Sequence, residues 1–274
     1  MTSYDMPNGV VQYGCEDGVS TLTLNRPESL NAMNDELMQD ISSALNVVND
    51  DDDVRVVVIT GAGRGFCSGA DLNNSADAAQ GALEEDPTAS MGDVFNPALA
   101  ALHRCPVPTI ARINGVAAGG GLGLALACDI TIAVKSTFLV ATFGPRLGIV
   151  PDLGSTWSLP RRAGRARALG MAMLGDRVSA EQAAQWGLIW KCVEDDQLDS
   201  EVAATAEILK RTNPDAMVRI RQSIDGATTT DFVDQLRIEM EHQAVLIPRN
   251  MTEGAQAFLE NREPEFDGRR TNAS

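Results

Sequence analysis

A run of small residues constrains this chain more than any other segment: Asn114-Gly115-Val116-Ala117-Ala118-Gly119-Gly120-Gly121-Leu122-Gly123-Leu124-Ala125-Leu126-Ala127-Cys128-Asp129. It follows a β-type stretch, Thr109–Ile113, and passes into leucines and alanines at helical spacing. A strand that turns through stacked glycines into a helix leaves backbone N–H groups unpaired at the positive end of the helix dipole. Without side chains in the way, another molecule can come within hydrogen-bonding distance of that main chain. Negative charge suits such a place, either a phosphate or an oxyanion forming on a polarised carbonyl. Near-absence of charge from 115 to 134 also admits a membrane span, but the glycines and Asp129 argue for a close-packed buried helix. A dinucleotide fingerprint fails here, because Leu124 stands where the third glycine of G-x-G-x-x-G belongs.

A second segment has the same design. Val54–Thr60 reads as a buried strand and empties into Gly61-Ala62-Gly63-Arg64-Gly65-Phe66-Cys67-Ser68-Gly69-Ala70-Asp71-Leu72. This loop fails the dinucleotide pattern too, with Phe66 at the third glycine position. Two small-residue loops, each after a strand, can give one N–H apiece to a single carbonyl oxygen. That is the requirement of an oxyanion hole.

Phe66–Leu72 and Asn114–Gly121 resemble the two signatures of the enoyl-CoA hydratase/isomerase (crotonase) superfamily. Leu24-Asn25-Arg26-Pro27, Leu30-Asn31-Ala32-Met33, Ser179–Ala183 and Trp186-Gly187-Leu188 are similar to further landmarks of that family, in the same order. The resemblance implies an α/β crotonase spiral of repeated ββα units with a C-terminal helical subdomain. It implies that the amides of Ala70 and Gly120 form the oxyanion hole for an acyl-CoA thioester. Arg26, Ala70, Asp71, Leu72, Asn73 and Gly120 are then the expected CoA-contacting positions, with Arg26 and Arg64 as candidates for the phosphates and Asp71 in an orienting role. No cofactor is expected beyond the coenzyme A of the substrate, and no metal.

Departures from the hydratase pattern are equally informative. Family hydratases carry two glutamates, and the matching positions here hold Gly123 and Gly144. Adding water across a conjugated double bond needs a base for the water and an acid for the carbon, and glycine supplies neither. One carboxylate does stand in a promising place, Asp152 in Gly148–Trp157. Local sequence alone suits a helix N-cap. By resemblance, the position matches the catalytic aspartate of non-hydratase members, among them dehalogenases and ring-opening epoxyphenylacetyl-CoA isomerases. The His and Trp helpers of the dehalogenases fall at Asn96 and Gly144 here, so the isomerases are the better match. A single carboxylate can lift a proton from one carbon and return it to another, with the enolate held by Ala70 and Gly120. Two alternatives remain: a hydratase using other acid/base groups, and a non-catalytic acyl-CoA-binding relative.

The remaining features bound the setting. Hydrophobic residues make up 44% of the 274, enough for a sizeable core. The net charge of −16, with Lys135, Lys191 and Lys210 the only lysines, disfavours nucleic acid and anionic membranes as partners. It also fits a saline habitat. Five cysteines without C-x-x-C spacing read as reduced thiols, Cys67 included. With no basic-then-apolar leader at the N-terminus, a cytoplasmic location is expected. His103 and His242 are too few for a histidine metal site, and His103 suits a helix end.

Along the chain, Val19–Leu24 alternates like a strand, and Leu30, Met33, Leu37, Ile41, Leu45 and Val48 recur at helical spacing. Asn73–Asp93 reads as a mobile loop, Ile130–Val134 and Phe138–Thr142 as strands, and Ser179 with Gln182 as a capping box. Beyond Leu198 only helices are expected, over 201–210, 214–224, 231–246 and 253–261. The division is thus a 1–197 core with the active site and a 198–274 helical subdomain, which by resemblance builds a homotrimer or homohexamer.

Overall fold

In the computed structural model of the protein, residues 2–72, 88–268 and 270 are described. Two sheets carry the fold. The larger has seven strands in the order β1-β2-β3-β4-β6-β8-β11, with β1 Thr2–Asp5, β2 Val11–Glu16, β3 Val19–Leu24, β4 Val56–Gly61, β6 Thr109–Ile113, β8 Ile130–Val134 and β11 Lys191–Val193. The smaller runs β10-β9-β7-β5, from Val178–Ser179, Phe138–Val140, Val116–Ala118 and Gly65–Cys67. From β3 onward neighbours in the larger sheet are parallel, while β1, β2 and β3 form an antiparallel edge.

The repeat follows from this pairing. β4 then β5, β6 then β7, and β8 then β9 each give one strand to either sheet. Each pair leads to a helix: α2 Asn96–His103, α3 Gly120–Ala127 and α4 Ser155–Ala163. The expected ββα spiral is therefore present, although no repeat is legible in the residues themselves.

β4 is buried along its whole length, as expected for a parallel strand covered on both faces. Val57 and Ile59 face the main core, together with Leu37, Met38, Ile41 and Leu45 of α1 (Asp35–Asp50). Val56 and Val58 face the other way, onto Leu198, Val202 and Ala206 of a later helix. α1 starts where Asn34 caps the Leu37 N–H at 3.0 Å, so the helical spacing seen from Leu30 begins only after that cap. Asp40 is fully buried on α1 because the N–H groups of Asn8, Val10 and Val11 donate to its carboxylate.

The chain continues through α5 (Arg165–Leu174), α6 (Ala180–Gln185), α7 (Leu198–Arg211), α8 (Pro214–Gly226) and α9 (Phe232–Glu260). Ser179 caps α6 through Gln182 N–H, as its spacing predicts, and Gly187 follows at φ +74°. α7 covers the second face of the larger sheet, so the compositional boundary at 197/198 falls inside the packed core rather than at its edge. Two expected helices, 231–246 and 253–261, are one. The chain stays helical through Pro248, which removes a single backbone bond, and it stops only at Asn261 in the left-handed conformation. Most of the expected 73–93 loop, 73–87, lies outside the described residues; from 89 the chain is already helical and leads directly into α2. No helix among the described residues is long and apolar enough to cross a membrane.

A formal charge of −16 on a 29.2 kDa chain implies self-repulsion in the folded state. The screening length falls from about 10 Å at 0.1 M salt to about 3 Å at 1 M. The melting temperature is accordingly expected to rise as KCl is added over that range, and calorimetry showing a fall would count against charge repulsion as a destabilising force here.

Candidate active site

The two glycine-rich loops meet. Ala70 forms an isolated parallel bridge with Met33, through Met33 N–H to Gly69 O at 2.7 Å and Asp71 N–H to Met33 O at 2.8 Å. Ser68 is tied to the same loop, its N–H to Leu30 O at 3.0 Å and its hydroxyl to Ser29 O at 3.0 Å. Gly69 has φ +98°, and a Cβ there would lie 3.3 Å from Gly120 N, so this turn sits against the start of α3. Gly121 is needed for the approach itself, since a Cβ on it would reach within 2.2 Å of Cys67 O. Gly120 is the first residue of α3, where an N–H has no intrahelical acceptor. Neither Ala70 N–H nor Gly120 N–H is hydrogen-bonded among the described residues.

Two side-chain amides, Asn31 buried and Asn114 half-buried, hold the first loop in shape. Asn31, at φ +58°, accepts from Arg26 N–H and donates to Ala62 O and Gly65 O at 3.0 and 2.9 Å. Asn114 accepts from Gly61 N–H at 3.2 Å and donates to Gly61 O and Gly63 O at 2.9 and 3.0 Å. Both belong to the sequence landmarks, yet nothing local identifies them as clamps on a loop many residues away.

Ala70 and Gly120 line a cavity of about 220 Å³. Leu72, Met91, Phe95, Phe143, Leu147 and Leu153 give it apolar walls, and Asp152 is the one titratable group on it among the described residues. Loss of water around its carboxyl group raises the Asp152 pKa above the usual carboxylate range, partly opposed by a backbone hydrogen bond. Asp152 is not a helix cap. α4 starts three residues later, with Gly154 at the N-cap position, and only the Asp152 backbone carbonyl takes part, accepting from Ser155 N–H at 2.9 Å. The aspartate side chain is thereby left to the cavity.

The positions that carry glutamates in the hydratases are closed or turned away. A Cβ on Gly123 would lie 2.5 Å from Leu153 O, so the turn after Asp152 occupies that space. A Cβ on Gly144 would point at Ala172 O of α5, 2.8 Å away, and Gly144 is not on the cavity wall.

The other expected contact residues divide. Leu72 is on the wall and 54% exposed. Asn73 lies outside the described residues. Arg26 and Asp71 stand beside the cavity and pair with each other at 2.8 Å, with the Arg26 guanidinium also donating to Ala32 O. This pair braces the loop that carries Ala70, and Arg26 is thus held inward rather than extended toward solvent; Arg64 is exposed. Cys67 is fully buried and its thiol is pushed up to about 12 by desolvation, which suits packing and not nucleophilic attack. His103 ends α2, 3.6 Å from the Asp225 carboxylate and edge-on to Trp157. Among the described residues no three His, Cys, Asp or Glu side chains converge as a metal site would need.

Phe95, Phe143, Leu147 and Ile149 were not legible as wall residues. The only signal is that 143–150 is too apolar for an ordinary surface turn, and Ile149 and Val150 are indeed 50% and 74% exposed.

Known proteins agree with this geometry. Residues 14–269 match the enoyl-CoA hydratase/isomerase family profile. The chain is 43% identical to a 1,2-epoxyphenylacetyl-CoA isomerase of Escherichia coli (strain K12), over 93% of this chain and 97% of that protein. It is 38% identical to a probable enoyl-CoA hydratase of Rhodobacter capsulatus, over 94% and 98%. A crystal structure of an enoyl-CoA hydratase from Polaromonas sp. JS666 superposes with a TM-score of 0.87 at 31% identity, covering 94% of this chain and 99% of that one. With paired sheets, repeated ββα units and both glycine-rich loops in place, the chain belongs to the enoyl-CoA hydratase/isomerase family and has the crotonase fold.

Proposed function

We propose that the protein is an acyl-CoA isomerase, acting on 1,2-epoxyphenylacetyl-CoA, on 3-enoyl-CoA thioesters, or on both. The observation that carries this reading is that, among the described residues, Asp152 is the single titratable side chain on a cavity that also holds the Ala70 and Gly120 amides, neither of them hydrogen-bonded there. In the proposed mechanism those two N–H groups grip the thioester oxygen. Asp152 removes a proton from one carbon, the negative charge moves onto the oxygen as an enolate, and Asp152 returns the proton to another carbon. With the epoxide, the same proton transfer runs from the carbon next to the thioester to a ring carbon. The carbon–carbon bond shared by the three- and six-membered rings breaks to give the seven-membered oxepin, with no atom gained or lost. Loss of one oxyanion donor typically costs roughly 10²–10³ in rate, so the hole is a principal catalytic term. The relative of highest identity above is named for the epoxide substrate, which supports that half of the reading.

Coenzyme A enters only as part of the substrate. The exposed apolar residues of α9, Phe232, Met240, Phe258 and Leu259 among them, support assembly into a trimer or hexamer. The test is a turnover screen over epoxyphenylacetyl-CoA, 3-enoyl-CoA and 2-enoyl-CoA with water. Isomerisation of either of the first two without hydration of the third is the expected result. Efficient hydration of 2-enoyl-CoA would overturn the assignment.

Reinstating the hydratase carboxylate is not expected to help. Gly123→Glu forces a Cβ onto the Leu153 carbonyl, a backbone atom that cannot step aside alone. The variant should lose stability and isomerase activity, with no gain of hydration, as read by thermal melting and a 2-enoyl-CoA assay. A stable, hydrating variant would show that the turn at 152–155 yields freely.

A further inference from the structure

Leu153 is wedged between two cavities. One is the acyl cavity described above. The other, about 300 Å³, lies on the far side of the same turn and is walled by Leu99, Ala100, Ala127 and Trp157, with Leu153 and Gly154 closing its near end. Leu153 lines both. On the helix opposite, Phe95 lines the first cavity and the next residue, Asn96, lines the second. Leu153 is thus the residue common to both walls. Its Cδ1 reaches toward the start of α3, where a Cβ on Gly120 would lie 2.6 Å from it. The residue is 6% exposed and sits at φ +49°, a left-handed conformation that a leucine enters only at a cost in backbone strain.

We infer that Leu153 is a specificity-determining residue, the stop that sets how long an acyl tail the site accepts. This rests on the acyl-CoA reading above. A thioester held at Ala70 and Gly120 sends its tail into about 220 Å³ of apolar space. A short or single-ring acyl group fits there, and a longer tail meets the Leu153 side chain. Behind it the second cavity offers mostly apolar wall, unused for want of an opening.

The experiment is calorimetric titration with saturated, unreactive acyl-CoA thioesters, butyryl-, hexanoyl- and decanoyl-CoA. The unmodified protein is compared with Leu153→Ala and Leu153→Gly. The glycine variant removes the same side chain and suits the left-handed backbone, which keeps the test open should the alanine variant not fold. Each methylene moved from water into apolar surroundings strengthens binding about fourfold. The unmodified protein should gain nothing from hexanoyl to decanoyl, whereas in the variants the preference for decanoyl- over butyryl-CoA should rise at least about tenfold above its own. Adding Ala100→Phe fills the second cavity from its other wall and should erase that gain. An unaltered chain-length profile in variants that still bind butyryl-CoA overturns the inference. Failure of the unmodified protein to bind any of the three overturns the acyl-CoA reading itself, a distinguishable outcome.

Discussion

Asp152→Asn is expected to lower kcat for isomerisation by about 10²–10⁴-fold, the usual contribution of a positioned proton-transfer group. The dissociation constant for a saturated acyl-CoA should stay nearly constant, because the amide keeps the shape of the carboxylate while the amides of Ala70 and Gly120 still hold the thioester. A matching pH dependence follows. Desolvation raises the Asp152 pKa above the ordinary 3.8. The base form is lost as pH falls through that raised value, so the acid limb of kcat/KM should lie above the range of a free aspartate and vanish in the Asn variant. For stability the sign is opposite to that of a paired carboxylate. A raised folded pKa means the contribution is fully present below the unfolded value and lost as pH rises through the folded one. At neutral pH the Asn variant should thus melt no lower than the parent, which separates lost chemistry from lost fold. Unchanged turnover would remove the carboxylate from the mechanism.

The second large effect concerns the fold. Arg221→Ala should cost about 3 kcal/mol, the low end of the range for breaking a buried ion pair from one side, because Arg221 and Asp129 are half-buried. Arg221 projects from α8 and donates to both oxygens of Asp129, at 2.6 and 2.7 Å. It also donates to the carbonyls of His103, Cys105 and Val107 at 3.1, 2.7 and 2.9 Å. Asp129 in turn accepts from the N–H and hydroxyl of Thr109 at 2.8 and 3.0 Å. One guanidinium thus joins α8, the end of α2, the entry to β6 and the end of the glycine-rich helix. A chain of this length loses roughly 2–4 °C per kcal/mol, so the melting temperature should fall by about 6–12 °C. Lys at the same position should rescue little, since an ammonium cannot span two carboxylate oxygens and three carbonyls in one plane. A melting temperature within a degree of the parent would show that the cluster contributes no net stability.

Much of the site is legible locally because its parts are backbone features. Glycines at 119–121 and at 69 state that something must approach the main chain closely there. The structure shows each loop to be what the other approaches, with Gly121 against Cys67 and Gly69 against Gly120. Strand 56–61 announces itself because burial on both faces demands an almost unbroken apolar run, and 109–113 departs from that pattern only at Thr109 and the half-buried Arg112. Strands 2–5 and 11–16 escape notice, being short and partly polar; pairing with each other and with β3 holds them, and only Val11 and Tyr13 of the second reach the core. The break expected between 246 and 253 is absent, because α9 runs on through Pro248.

Asp152 marks the division most sharply. Taken alone, Pro-Asp before a helix suits a cap as well as a base, since both uses ask for the same carboxylate and differ only in where the side chain points. By itself the chain of residues determined the larger buried strands, the two donor loops and glycine at both positions where the hydratases it resembles carry glutamate, because each depends on residue type or short-range spacing. The ββα alternation came only through the resemblance. Tertiary structure alone decided that Gly154 takes the cap position, that Asp152 faces the donor cavity, and that Leu153 closes it. Those outcomes depend on which surfaces meet across more than thirty residues of chain. Packing selects them, and no local preference encodes it.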